Sequence, residues 1–193
     1  MNRTADVVVA GASLAVASPL LAVAALAVKL EDGGPVMYRQ TRVGKDGRDF
    51  ELLKLRTMVQ GAETIGAGFA VDKGDVRITR VGRVLRRLSL DELPQLWNVV
   101  RGDMSVVGPR PTLRYQVERY TDSQRRRLEV KPGITGWAQV HGRAAVPWEK
   151  RIELDVWYVD HRTPRLDVEI LARTPRALFS GTYKGATGGW KGH

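Results

Sequence analysis

The sequence predicts an α+β, mostly helical protein: an uncharged N-terminal segment, then a compact basic domain with one small β-hairpin and amphipathic helices. Three observations carry this. No charged residue occurs between Val7 and Val28. Beyond residue 75, apolar positions recur mainly at the three- and four-residue spacing of helices. The one stretch with strand-like apolar runs, residues 35–58, is divided by the turn signal Gly44-Lys45-Asp46-Gly47. At 193 residues the chain is the size of one core with an appendage, since domains run to roughly 100–200 residues. The expected division is a membrane segment at 1–30, a catalytic or binding domain at 31–180, and a Gly-rich, disordered tail at 181–193.

Composition narrows the chemistry. Lys and Arg number 31 against 21 Asp and Glu, a net charge of +10. That balance predicts an anionic partner: nucleic acid, a phospholipid surface or a phosphorylated substrate. The absence of cysteine excludes a disulfide scaffold, a thiolate nucleophile and Cys-ligated zinc or iron–sulfur centres. Three histidines, His141, His161 and His193, are too few for a poly-His metal cage.

The N-terminal segment admits three readings. Its length suits a bilayer span, which takes roughly 20 apolar residues. The basic start at Arg3 and the Ala-rich end near Ala25 and Ala27 suit a signal peptide, although the apolar part is longer than is usual there. The central Ser18-Pro19 pair suits a helix that breaks within the bilayer and leaves on the side it entered, because proline removes a backbone donor and opposes the carbonyl four residues back. Basic flanks on both sides, Arg3 and Lys29, fit two cytoplasmic ends.

Further along, Val36–Tyr38 and Phe50–Leu55 flank the turn, the second run reading as a strand or short helix. Gly61, Gly66, Gly68 and Gly74 mark a loop over 60–76. A basic helix is expected over Arg77–Leu88, with Arg77, Arg80, Arg83 and Arg86 along one side. Tyr120–Val130 is expected to form another, ended by Lys131-Pro132-Gly133. Pro147-Trp148-Glu149 is a helix start, followed by an apolar stripe of Trp148, Ile152, Val156 and Val159 with Asp155 on its edge. A last helix is expected over Leu166–Arg173, interrupted by Pro175.

The most informative segment is 86–111. Pro94 inside a helical pattern predicts a helix starting near Asp91, because proline is tolerated without penalty only in the first turn. Asp91 and Glu92 then lie at a helix N-terminus with Arg86, Arg87, Arg101 and Arg110 around them. Two adjacent carboxylates suit Mg²⁺, which binds through one or two carboxylates plus substrate phosphates. A carboxylate also serves as a covalent nucleophile toward phosphorus. Equally, Ser89 and Glu92 fit a capping box, with Asp91 as a plain N-cap.

The blocks at 38–58 (YRQTRVGKDGRDFELLKLRTM), 75–111 (DVRITRVGRVLRRLSLDELPQLWNVVRGDMSVVGPRP) and 131–143 (KPGITGWAQVHGR) resemble the signature blocks of the bacterial sugar transferases. These are monotopic polyprenyl-phosphate phosphoglycosyl transferases, and the resemblance runs from about residue 5 to residue 180. It implies transfer of a sugar 1-phosphate from a UDP-sugar to undecaprenyl phosphate, with Mg²⁺ and release of UMP. That step initiates exopolysaccharide, O-antigen or glycoprotein glycan synthesis at the inner (cytoplasmic) membrane of a bacterium, with the catalytic domain in the cytoplasm. It implies Asp91 as the nucleophile that carries the phosphosugar, and Glu92 assisting with the metal or a proton. Lys54, Arg56, Arg86, Arg110 and Arg143 are implied phosphate ligands, with Asp155 near them. It also implies a re-entrant helix broken at Ser18-Pro19.

Two departures from the family pattern stand out: Ala144 follows Arg143 where asparagine is frequent, and 160–165 reads Asp-His-Arg-Thr-Pro-Arg where the family is often apolar. Glucose, galactose, N-acetylhexosamine and modified amino-sugar donors all suit the motif set. A homodimer is a reasonable expectation for chains sharing a membrane surface. The alternative is a membrane-anchored basic module for nucleic acid or acidic polymer. The aromatic residues are not interleaved with basic ones as a stacking platform requires, so no nucleic-acid partner is expected.

Overall fold

The computed structural model describes residues 2–65, 74–142 and 145–179. Helix α1 (Arg3–Asp32) begins where the Asn2 carboxamide accepts from Ala5 N–H at 2.8 Å and ends at Gly33, whose φ of 71° supplies the left-handed cap. It is long and apolar enough to cross a membrane. At the Ser18-Pro19 pair, where a break is expected, the backbone stays helical. Pro19 has no N–H for the Ala15 carbonyl, and the Ser18 hydroxyl donates to that carbonyl instead, at 2.8 Å.

One stripe of α1, from Asp6 and Ala10 to Ala24 and Val28, is buried against the domain, and Val8, Val16, Leu20, Val23, Leu26 and Leu30 face outward. Both ends are tied down. Near the start, Asp6 accepts from Ser105 Oγ at 2.8 Å and Val106 N–H at 2.9 Å, while Arg3 donates to the Val99 and Val100 carbonyls. Near the finish, Asp32 pairs with Arg56, and the Glu31 carboxylate accepts from Arg80 N–H at 2.6 Å.

The predicted hairpin forms as β1 (Met37–Val43) and β2 (Asp49–Leu55), antiparallel from Met37 opposite Leu55 to Val43 opposite Asp49. Directly opposed residues share a face, which groups Tyr38, Gln40 and Arg42 with Lys54, Leu52 and Phe50. Helix α2 (Arg80–Arg87) starts later than expected, because the Thr79 hydroxyl caps it by accepting from Gly82 N–H. Arg77 therefore lies off the basic side of the helix, buried and paired with Asp75.

Helix α3 (Gln95–Arg101) docks on the open edge of β2 through Asn98. This fully buried carboxamide accepts from Leu53 N–H at 3.0 Å and donates to the Glu51 carbonyl at 2.7 Å, as a neighbouring strand would. A second pair of strands, β3 (Ser105–Val107) and β4 (Gly133–Thr135), is parallel and was not evident from the sequence. Here the backbones meet so closely that a Cβ on Gly133 would lie 2.1 Å from the Gly108 nitrogen.

The remaining helices are α4 (Arg114–Val117), α5 (Asp122–Arg125), α6 (Trp137–Val140), α7 (Trp148–His161) and α8 (Pro164–Phe179). The helix expected over 120–130 is split, because Thr121 caps α5 and residues 126–128 tighten to a 3-10 turn. Pro147 caps α7 from outside rather than sitting in its first turn. Contrary to expectation, α8 continues through Pro175. The main core joins Ala10 of α1 to Leu52, Leu96, Val99, Met104, Val107, Tyr158 and Ile170. The glycine tail at 181–193 lies outside the described residues.

Candidate active site

Asp91 and Glu92 lie on a 3-10 turn, Leu90–Glu92, that runs through Leu93 and Pro94 into α3. Ser89 before it is left-handed, with φ of 56° and no side-chain cap. An N-cap residue is normally extended, so the capping box open to Ser89 and Glu92 does not form. The Glu92 carboxylate turns away from the backbone to the hairpin. It accepts from Lys54 Nζ at 3.0 Å and from both terminal nitrogens of Arg110, one at 3.3 Å.

The two neighbouring carboxylates differ in kind. Burial would raise Glu92, but the charges and hydrogen bonds of Arg110 and Lys54 overcome it and hold Glu92 well below the usual carboxylate range. Burial and the Glu92 charge push Asp91 up, opposed by Lys54, Arg86 and Arg110. Asp91 is 8 % exposed, and no hydrogen bond reaches its carboxylate among the described residues. Burial pulls Lys54 down, opposed by Glu92. The Glu92 charge raises Arg110.

Packing sets these positions. A Cβ on Gly82 would lie 2.1 Å from the Thr57 carbonyl oxygen, so only glycine lets α2 approach this closely. One turn on, Arg86 Nε donates to Thr57 Oγ1 at 2.7 Å. Arg110 stands between two prolines in the loop after β3.

Of the residues expected to grip phosphate, Lys54, Arg86 and Arg110 gather at the dyad. Arg56 does not: its guanidinium is buried against Asp32, the Pro35 carbonyl at 2.6 Å and the Met58 carbonyl at 3.3 Å, and it fastens α1 to β2. Asp155 is 2 % exposed, inside the core rather than on the edge of a stripe, and is paired with Arg127. Burial raises it to about 6 although Arg127 opposes this. Arg143 lies outside the described residues.

Sequence reasoning missed Arg42, whose Nη1 donates to the Pro111 carbonyl at 3.4 Å and which burial and the charge of Arg110 pull down to about 10. The hairpin register, which groups it with Lys54, is the signal that finds it.

The site is a pair of carboxylates ringed by cations. Among the described residues no three acidic or histidine side chains converge on a metal position. The donor set fits only an ion carried largely by substrate phosphates, for which the unbonded Asp91 oxygens, with Glu92 beside them, would be the available protein ligands.

Comparison with known proteins gives the family. The model of the family described as bacterial sugar transferase matches residues 1–181. An uncharacterized sugar transferase of Bacillus subtilis, EpsL, is 47% identical over 93% of this chain and 87% of its own. A UDP-N-acetylgalactosamine-undecaprenyl-phosphate N-acetylgalactosaminephosphotransferase of Aeromonas hydrophila is 46% identical over 94% of this chain, which spans only 44% of that longer protein. A UDP-glucose:undecaprenyl-phosphate glucose-1-phosphate transferase of Caulobacter vibrioides is 43% identical over 93% of this chain and 70% of its own. With matches of this extent, the chain belongs to the bacterial sugar transferase family.

Proposed function

We propose that this chain transfers a sugar 1-phosphate from a UDP-sugar to undecaprenyl phosphate through a covalent intermediate on Asp91. The observation that carries the reading is the asymmetry of the dyad: Glu92 is ionised and engaged, whereas Asp91 has unbonded oxygens among cations. The activities named for the Aeromonas and Caulobacter relatives support the substrates.

An Asp91 oxygen attacks the β-phosphorus of the donor, and the bond from that phosphorus to the bridging oxygen breaks. Its electron pair leaves with UMP. A phosphate oxygen of undecaprenyl phosphate then attacks the acyl phosphate, forming the diphosphate-linked sugar and restoring the Asp91 carboxylate. Two simple displacements thereby replace a direct encounter of two anions, one soluble and one anchored in the membrane. Arg86 and Arg110 suit the phosphates because a guanidinium donates in a planar fork. Asp91, with Glu92 beside it, would hold a Mg²⁺ ion that arrives with the donor, and the ion would supply charge neutralisation on the diphosphate.

We place the protein at the inner membrane as a monotopic protein, with α1 dipping into one leaflet and its domain in the cytoplasm. A straight helix of 30 residues is about 45 Å long, yet Arg3 and Asp6 at one end and Glu31 and Asp32 at the other all bind the same domain. The outward apolar face of α1 is left for lipid. Because the chain has no cysteine, single Thr4→Cys and Arg48→Cys variants test the topology. Both should label only from the cytoplasmic side, and labelling of Thr4→Cys from outside would sink it.

The reaction is tested by UMP release from a panel of UDP-sugars with Mg²⁺ and undecaprenyl phosphate. Release with one donor, abolished in a folded Asp91→Asn protein, is the expected result. An active Asp91→Asn protein would refute the mechanism.

A further inference from the structure

We propose that Arg127 is a positioning residue that sets the Arg110 side chain on its phosphate, and that Asp155 acts on the site only through Arg127. The inference rests on the phosphoglycosyl transferase reading above.

The loop 109–112 carries Arg110 and is fixed carbonyl by carbonyl from four directions. Gly133 N–H donates to the Pro109 carbonyl at 2.9 Å and Val43 N–H to that of Thr112 at 2.9 Å. Side chains supply the two between. Arg127 Nη2 donates to the Arg110 carbonyl at 2.8 Å, and Arg42 Nη1 to the Pro111 carbonyl at 3.4 Å. The Arg110 carbonyl is thus held from inside the protein while its guanidinium, 43 % exposed, reaches Glu92 on the site side.

Arg127 is itself immobilised. Its side chain is 5 % exposed, its Nη1 donates to Tyr120 Oη at 2.6 Å, and its Nη2 is shared between the Arg110 carbonyl and Asp155 Oδ2. The Tyr120 ring lies 5.7 Å from the guanidinium carbon and packs against Trp148 of α7. Removing Asp155 would leave a buried guanidinium charge without its counter-ion, the costly way to break such a pair. Arg127 then keeps only Tyr120 and the loop carbonyl as partners, and its hold on the loop is weakened. A lysine at 127 would keep the charge opposite Asp155 but lacks the fork that reaches Asp155, Tyr120 and the loop carbonyl together.

A double-mutant cycle on UDP binding tests this. UDP carries the diphosphate without the unidentified sugar, and its affinity is read by calorimetry on detergent-solubilised protein with Mg²⁺. Arg127→Lys should weaken UDP about 10-fold, with Asp155→Asn acting in the same direction. In an Arg110→Lys background Arg127→Lys should add less than about 2-fold, because residues acting through one another are non-additive. Multiplying effects in that background, or unchanged UDP affinity in folded Arg127→Lys and Asp155→Asn proteins, would overturn the inference. A wild-type chain that binds no UDP would sink the functional reading, and this inference with it.

Discussion

Replacing Asn98 by leucine, similar in size and apolar, tests how the dyad is held against the hairpin. The substitution leaves the Leu53 N–H and the Glu51 carbonyl without the partners they have at 3.0 and 2.7 Å, in a place where Asn98 is 0 % exposed. A buried polar group deprived of its partner costs about 1–3 kcal/mol. Two such groups give roughly 2–5 kcal/mol once some relaxation toward water is allowed. For a protein of this size each kcal/mol moves Tm by about 2–4 °C, so thermal unfolding in detergent should show a fall of at least about 4 °C. Glu92 stands six residues before Asn98 and Lys54 is the residue after Leu53, so a shift of α3 along β2 should also lengthen the contact between Glu92 and Lys54 and lower UMP release. A Tm within about 2 °C of wild type would refute the claim that Asn98 docks α3 as a surrogate strand.

Other consequences are equally direct. Because the Glu92 charge helps to raise Asp91, Glu92→Gln should move the acid limb of the pH–rate profile to lower pH while reducing the maximal rate; a limb moving to higher pH would contradict the coupling. Asp155, raised from 3.8 to about 6, is protonated in the folded state at pH values where the unfolded chain has ionised it. Wild-type stability should therefore fall relative to Asp155→Asn as pH rises from about 4 through 6, by up to about 3 kcal/mol at 1.36 kcal/mol per pH unit, and parallel stability curves would count against it. Gly82→Ala forces a Cβ to within 2.1 Å of the Thr57 carbonyl oxygen and should cost about 1–3 kcal/mol as overpacking, displacing Arg86 and weakening UDP binding; a neutral result in unfolding and binding would show that α2 is free to shift.

The parts of this structure legible in the sequence are those whose cause is local. The hairpin is written in two short runs around a turn, and α7 in its apolar stripe. Pro94 locates α3, although the helix starts at Gln95 rather than near Asp91 and leaves the two carboxylates on the 3-10 turn before it. The parts not legible depend on partners far along the chain. Strands β3 and β4 are three residues each and gain their register from Gly108 and Gly133 touching backbone to backbone, a constraint with no periodicity. Asn98 reads as an ordinary polar helix position because its partners lie on β2. Arg56 and Arg86 are alike in sequence, both within basic motif blocks. Only the fold turns one into an anchor for Asp32 and leaves the other beside Asp91.

The same limit explains why two adjacent acidic residues have distinguishable roles. On a 3-10 turn of about three residues per revolution, neighbouring side chains diverge by roughly 120°, so Asp91 and Glu92 cannot face the same cations equally. Glu92 turns to Lys54 and Arg110 and is ionised by them; in return it holds in place, without an added ligand, two buried or half-buried charges that would otherwise repel one another. Asp91 receives the remainder: burial without hydrogen bonds, a neighbouring negative charge, and cations near enough to oppose both. A carboxylate in that setting is more basic, and so a better nucleophile once ionised, than one committed to an arginine. On the proposed mechanism, incoming diphosphate exchanges with Glu92 for Arg110 and Lys54, and no hydrogen bond to Asp91 has to break. One carboxylate then keeps the cations ordered for the substrate while the other stays available to react with it.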